Sequence, residues 1–234
     1  MQRYEYDFDY VKPKNDESTI AIQPLMKQVY IWMTGGLAVT ALVAFLTIST
    51  SLVYFIANPL VFYGALFGEL ALVFVLSANL HRMQTGMALV LFFVYAALNG
   101  FTLSLILFLY GIGTVVPAFM TTAGLFGVMS VLAITTDIDL SKYATYLLMA
   151  VVGLIIAMIV NMFVNNSSLD WLISIAGVMI FTGLTAYDTQ RIYRMAQAVP
   201  EGDIPKLAIM GALKLYLDFI NLFLFLLRLA GRRH

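Results

Sequence analysis

Leu215-Tyr-Leu-Asp-Phe-Ile-Asn-Leu-Phe-Leu-Phe-Leu-Leu-Arg228 lies inside an apolar stretch from Leu207 to Leu229, with Lys214 one turn before Asp218. A stretch of about 20 apolar residues, rising about 1.5 Å per residue, crosses the ~30 Å hydrocarbon layer as a helix. An ionised carboxylate near the bilayer centre costs about 2.5 to 3.5 kcal/mol on insertion scales. Asp218 therefore needs a partner, a proton or a water-filled cavity. Each of these makes it a candidate functional residue.

The rest of the chain is of the same kind. Of 234 residues, 62% are hydrophobic and 11% charged, against about 45–50% and 25% in soluble domains, so the sequence is that of a polytopic membrane protein. Lys plus Arg and Asp plus Glu both total 13, which leaves no basic footprint for nucleic acid. The expected partners are the lipid bilayer, ions and other membrane proteins. There is no cysteine, and the histidines are His81 and His234 alone, which excludes thiolate and histidine-rich metal sites. No G-x-x-x-x-G-K-[ST] loop, G-x-S-x-G elbow or H-E-x-x-H pair occurs, so the sequence reads as a non-enzyme that needs no cofactor.

Seven apolar stretches are long enough to span: Gln28 to Thr50, Leu60 to Leu80, Gly86 to Tyr110, Val115 to Thr135, Ala144 to Val164, Trp171 to Arg191 and Leu207 to Arg228. They lack the alternation of barrel strands, and open strands cannot cross lipid. The predicted fold is an all-α bundle of seven transmembrane helices. Its domain 28–229 follows a flexible tail over 1–27, in which aromatic and charged residues alternate from Tyr4 to Tyr10, and precedes a short tail over 230–234. The loops after spans 1, 3 and 5 carry no Lys or Arg, whereas the N-terminal tail, Arg82, Lys142, Arg191, Arg194 and Lys206 lie on the other side. That asymmetry predicts a cytoplasmic N-terminus. A full seventh crossing, the favoured reading, then puts Arg232 and Arg233 outside, an exception to the charge rule, whereas a re-entrant seventh segment would return them to the cytoplasm.

Few polar groups sit at membrane depth. Asn99 and Asn161 read as interhelical hydrogen-bonding amides, and Gly35-Gly36, Gly124 with Gly127, and Gly177 with Gly183 as close-packing positions. Taking the apex of the last hairpin within Val199-Pro-Glu-Gly-Asp203, Asp188 and Asp218 lie at depths about 6 Å apart. Two carboxylates at such similar depth on neighbouring helices can share a proton or clasp a cation, which makes the pair a pH-sensitive latch. Lys214, Asp218 and Asn221 share one helical stripe. Lys214 either neutralises Asp218 within its helix or extends toward the cytoplasm. Glu69 lies midway along span 2, and an ion pair with Arg228 would tie spans 2 and 7 on the outer half.

The run from Leu215 to Phe223, taken with Ala186-Tyr-Asp-Thr-Gln190 and a His81-Arg82 pair after an acidic span 2, closely resembles the Bax inhibitor-1 family, the transmembrane Bax inhibitor motif proteins that include the bacterial YccA and YetJ types. The resemblance implies a seven-helix fold whose last helix is surrounded by the other six. It also implies a di-aspartyl pH sensor, Asp188 and Asp218, gating a passive calcium leak, with an arginine at the cytoplasmic end of span 2 as latch. Arg82 is the candidate for that arginine, about two residues later than the family pattern places it, and Lys214 is the second candidate for a cation that latches the two acids. Lys214 departs from the pattern, because a second cation beside Asp218 disfavours a divalent ion.

Two functions follow as expectations. One is a pH-sensitive passive calcium pathway of a bacterial inner membrane, with Asp188 and Asp218 as a weak calcium site completed by water, since two carboxylates and the Asn221 amide fall short of calcium's usual six to eight oxygens. The other is a modulator of a membrane complex such as a membrane AAA protease, a role associated with the YccA type.

Overall fold

The computed structural model describes residues 17–197 and 204–231, with side chains at 24–80, 82–197 and 204–231. The Tyr4 to Tyr10 segment, the turn at Val199 to Asp203, the His81 side chain, Arg232 and Arg233 lie outside these. The fold is an all-α bundle with no strand among the described residues. Its helices are α1 (Glu17–Ile48), α2 (Leu52–Ile56), α3 (Pro59–Asn79), α4 (Thr85–Tyr110), α5 (Ile112–Thr135), α6 (Ala144–Val164), α7 (Ser167–Ala196) and α8 (Ile204–Gly231), with 3-10 turns at Leu80–Arg82 and Leu140–Tyr143. All but the short α2 are long and apolar enough to cross a membrane. α1 begins eleven residues before the apolar stretch that marks span 1 and runs through Pro24. α8 is one unbroken helix of 28 residues, as a full crossing requires.

Local chemistry sets the corners. Pro59 opens α3, and the Asn58 side chain accepts from Leu60 N at 2.9 Å. Asn166 does the same for Ser168 N and Leu169 N at the start of α7. These asparagines satisfy backbone N–H groups that a helix start leaves without partners. Between α4 and α5 a single residue, Gly111, turns the chain at φ 72°, which glycine adopts without steric cost. Asn161, predicted to bridge helices, instead accepts from Asn166 N at 3.1 Å and closes the α6–α7 turn.

α8 is the most buried of the membrane-length helices. Of its span 67% is buried, against 6% for α6, and it packs on α1, α4, α5 and α7, while α3 leans on α4 and α6 on α7. Aromatic rings fill the joints: Phe119 and Phe126 of α5 meet Phe219 of α8 edge to face at 5.4 and 5.5 Å, and Phe92 and Tyr95 of α4 meet Tyr216 at 5.7 and 5.8 Å. Such rings supply packing where lipid removes the hydrophobic drive between helices.

Glycines allow the closest approaches, at positions only partly foreseen. Gly36 faces Phe92, Gly177 faces Phe225 and Gly183 faces Leu147. Gly124 and Gly127 face open space, with nothing within 4 Å of a built Cβ, so they are not packing positions within this chain. The closest approach of a glycine to another helix's backbone is at Gly100, where a Cβ would stand 2.4 Å from the Thr40 carbonyl oxygen. Because the obstacle is backbone, α1 and α4 would have to part. Gly100→Ala is expected to destabilise the protein by about 1–3 kcal/mol, the usual cost of overpacking. Gly124→Ala should stay within about 0.5 kcal/mol of wild type. Thermal midpoints in one detergent compare the two.

Candidate functional site

Asp188 on α7 and Asp218 on α8 are both buried, at 8% and 5% exposure. α7 and α8 pack directly on one another, and Lys214 links them, its Nζ donating to Asp188 Oδ1 at 3.2 Å. Lys214 lies one turn before Asp218 on the same stripe, so both acids sit within about a turn of each other in depth. The two charged groups that act electrostatically on Asp218 are Asp188 and Lys214. Asp218 Oδ2 is buried and has no hydrogen-bond partner. The centre thus brings Asp188, Lys214 and Asp218 together around one unsatisfied acceptor.

The hydrogen bond of Lys214 crosses to Asp188 rather than staying on its own helix, while its charge also acts on Asp218. Arg82 is exposed and pairs with no carboxylate among the described residues, so of the two latch candidates Lys214 is the one the fold places on an aspartate. Asn221 is half-buried and donates to Leu217 O at 2.8 Å, which ties its amide to its own helix. No group of three or more His, Asp or Glu able to hold a metal occurs among the described residues.

The predicted Glu69–Arg228 ion pair is corrected. Glu69, 7% exposed, accepts a hydrogen bond from Asn99 Nδ2 on one oxygen and from Thr102 Oγ1, at 2.9 Å, on the other. Both donors belong to α4, the helix on which α3 leans. Arg228 is exposed and lies over the Phe225 ring at 5.7 Å. Similar depth says nothing of direction around a helix axis, and these two side chains take different directions.

Asn99 joins Glu69 to a network that sequence reasoning did not find. Tyr216 Oη donates to Asn99 Oδ1 at 3.1 Å and lies 2.7 Å from Thr40 Oγ1, which is within 2.9 Å of Ala96 O. Four helices, α1, α3, α4 and α8, meet there. Tyr216 and Lys214 project from nearly opposite sides of α8, about 160° apart.

A third polar cluster closes the Lys214 end of the bundle. Gln190, two residues past Asp188, accepts from Leu140 N at 2.8 Å and donates to Ile138 O at 2.9 Å and Ala133 O at 3.2 Å. One amide thereby caps the end of α5 and holds the following loop. Beside it Arg194 hydrogen-bonds Asp139. That guanidinium bond holds the Asp139 carboxyl below its usual range. The pair's contribution is present at neutral pH and lost as pH falls through the lowered value. With side chains 42% and 39% exposed, it is worth less than about 1 kcal/mol.

Comparison with known proteins agrees with this architecture. Residues 22–234 match the family described as inhibitor of apoptosis-promoting Bax1. The inner membrane protein YbhL of Escherichia coli is 40% identical over the whole of both chains. A protein of Deinococcus radiodurans is 45% identical over 91% of this chain and 92% of its own, and one of Borreliella burgdorferi 43% over 89% and 91%. With the match running through all seven membrane-length helices and both aspartates, this chain belongs to the Bax inhibitor-1 family.

Proposed function

We propose that the protein is a pH-sensitive passive cation pathway of a bacterial inner membrane, with calcium as the cation and Asp188 and Asp218 as the gate. The observation that carries the reading is the orphaned Asp218 Oδ2 beside the Asp188–Lys214 pair. A buried acceptor without a donor costs about 1–3 kcal/mol, more when charged. A proton, a cation or water satisfies it. When both acids are ionised the three groups sum to one negative charge, which favours cation entry or separation of α7 from α8. With one proton shared the sum is zero and the helices close. The inner-membrane placement follows YbhL, and the loop charges put the N-terminus in the cytoplasm. No catalytic group or cofactor is invoked. Calcium influx into proteoliposomes holding only the purified protein, followed across pH, tests the proposal. A total absence of flux would turn attention to the modulator of a membrane complex.

A further inference from the structure

We propose that the Phe225 ring, seated on Gly177 and stacked on Phe181, is the barrier that separates Asp188 and Asp218 from the outer solution. The proposal deepens the reading of those acids as the gate of a cation pathway and rests on it for the ion alone. On α8, Gly211, Lys214, Asp218 and Phe225 follow at intervals of three, four and seven residues, which places them on one stripe. Its contacts turn that stripe toward α7. A Cβ at Gly211 would stand 3.2 Å from Ile192 Cδ1, Lys214 bonds Asp188, and a Cβ at Gly177 would stand 2.5 to 2.6 Å from three atoms of the Phe225 ring. Asp218 therefore lies on the α7–α8 seam, two turns or about 10 Å from the closure at Gly211 and the same from the closure at Phe225.

The two closures differ in what fills them. The inner one is aliphatic, with Val29 and Ile192 over Gly211. The outer one is aromatic: the Phe225 and Phe181 rings lie 5.8 Å apart with their planes 25° from parallel, and Leu154, Ile173 and Leu222 complete the buried cluster around them. A glycine within a helix costs about 1 kcal/mol relative to alanine, and at Gly177 the ring itself occupies the place of the missing methyl. Farther out, Arg228 lies over Phe225. Asn221 is the one polar residue between Asp218 and Arg228, and its amide is bonded to Leu217 O. An ion moving outward along the seam from Asp218 thus meets an unbroken apolar constriction, and such constrictions close by excluding water. Displacing the Phe225 ring removes the closure without touching either acid.

The chain contains no cysteine, so a single thiol introduced at the depth of the acids reports on the barrier. Thr185 is fully buried. It lies seven residues outward of Ile192, as Asp218 lies seven outward of Gly211, so the two share a depth. Thr185→Cys, in spheroplasts that present the outer face, is treated with a membrane-impermeant cationic methanethiosulfonate. Adding Phe225→Ala is expected to speed labelling about tenfold or more, the factor that a barrier lower by about 1.4 kcal/mol gives. Gly177→Ala, whose methyl pushes the ring off its seat, should act in the same direction and serves if Phe225→Ala does not accumulate. Gly211→Ala is the control. Its methyl would stand 2.9 Å from Val29 Cγ2, so it strains the same seam at the inner closure and should leave labelling from outside unchanged. Labelling unmoved by Phe225→Ala, or raised as much by Gly211→Ala, would make the rings ordinary packing and overturn the proposal. In proteoliposomes Phe225→Ala should also pass calcium faster than wild type. Faster labelling with no calcium flux in either protein would defeat the transport reading alone.

Discussion

Lys214→Met is expected to lower stability at neutral pH and to raise calcium affinity at the same site. Its ammonium is the cation hydrogen-bonded to Asp188. Without it the buried Asp188 and Asp218 repel each other with no ammonium beside them. Removing one partner of a fully buried pair costs about 3–5 kcal/mol. Here the Lys214 side chain is 34% exposed and that of Asp188 11%, so water offsets part of the loss and about 1–3 kcal/mol is expected. The deficit should shrink as pH falls, because protonating an aspartate removes the repulsion that the lysine neutralised. Calcium reverses the sign. In the wild type a divalent ion must displace a tethered ammonium, whereas in Lys214→Met it meets two free carboxylates. Calorimetric titration with calcium, alongside thermal midpoints at several pH values, reads both effects. Calcium binding weaker than wild type at neutral pH would show that Lys214 does not compete for the site.

Gln190→Met is expected to cost about 2–3 kcal/mol through backbone groups alone. The substitution keeps most of the volume and removes three hydrogen bonds together, leaving Leu140 N, Ala133 O and Ile138 O without their partner. A buried, unpaired backbone group costs about 1–3 kcal/mol, and water reaching the loop offsets some of that. The damage should be local first. Limited proteolysis between α5 and α6 should accelerate well before the bundle melts, since the amide fastens that loop to α7. Wild-type proteolysis rates in the variant would mean that the loop is held by other contacts.

The fold was legible because lipid imposes so narrow a rule. A helix must be about 20 apolar residues long to cross, and every stretch that met the rule became a helix within a few residues, except that α1 extends well before its apolar part. The acids were legible for a related reason, since charge at membrane depth is rare enough that Glu69, Asp188 and Asp218 stand out. Their partners were not. Lys214 one turn from Asp218 fits a bond within its own helix as well as one across to α7, and only the direction in which the two helices face each other decides for Asp188. Depth matching likewise suggested Arg228 for Glu69, but depth carries no information about azimuth. Thr40 and Tyr216 were invisible for the opposite reason. Threonine and tyrosine are tolerated in any membrane helix, so nothing in their spacing marks them as network members. The glycines repeat the lesson: Gly124 and Gly127 look like a packing pair, yet the crossing where backbone itself blocks a methyl group is at Gly100.

Calcium influx into proteoliposomes of the purified protein, measured over a series of pH values for wild type and Asp218→Asn, tests the di-aspartyl gate most directly. Asparagine preserves size and hydrogen bonding but cannot titrate. The account predicts a wild-type flux that changes with pH and an Asp218→Asn flux that is flat across the same range. A wild-type flux independent of pH, or an Asp218→Asn protein that keeps the wild-type pH profile, would contradict it.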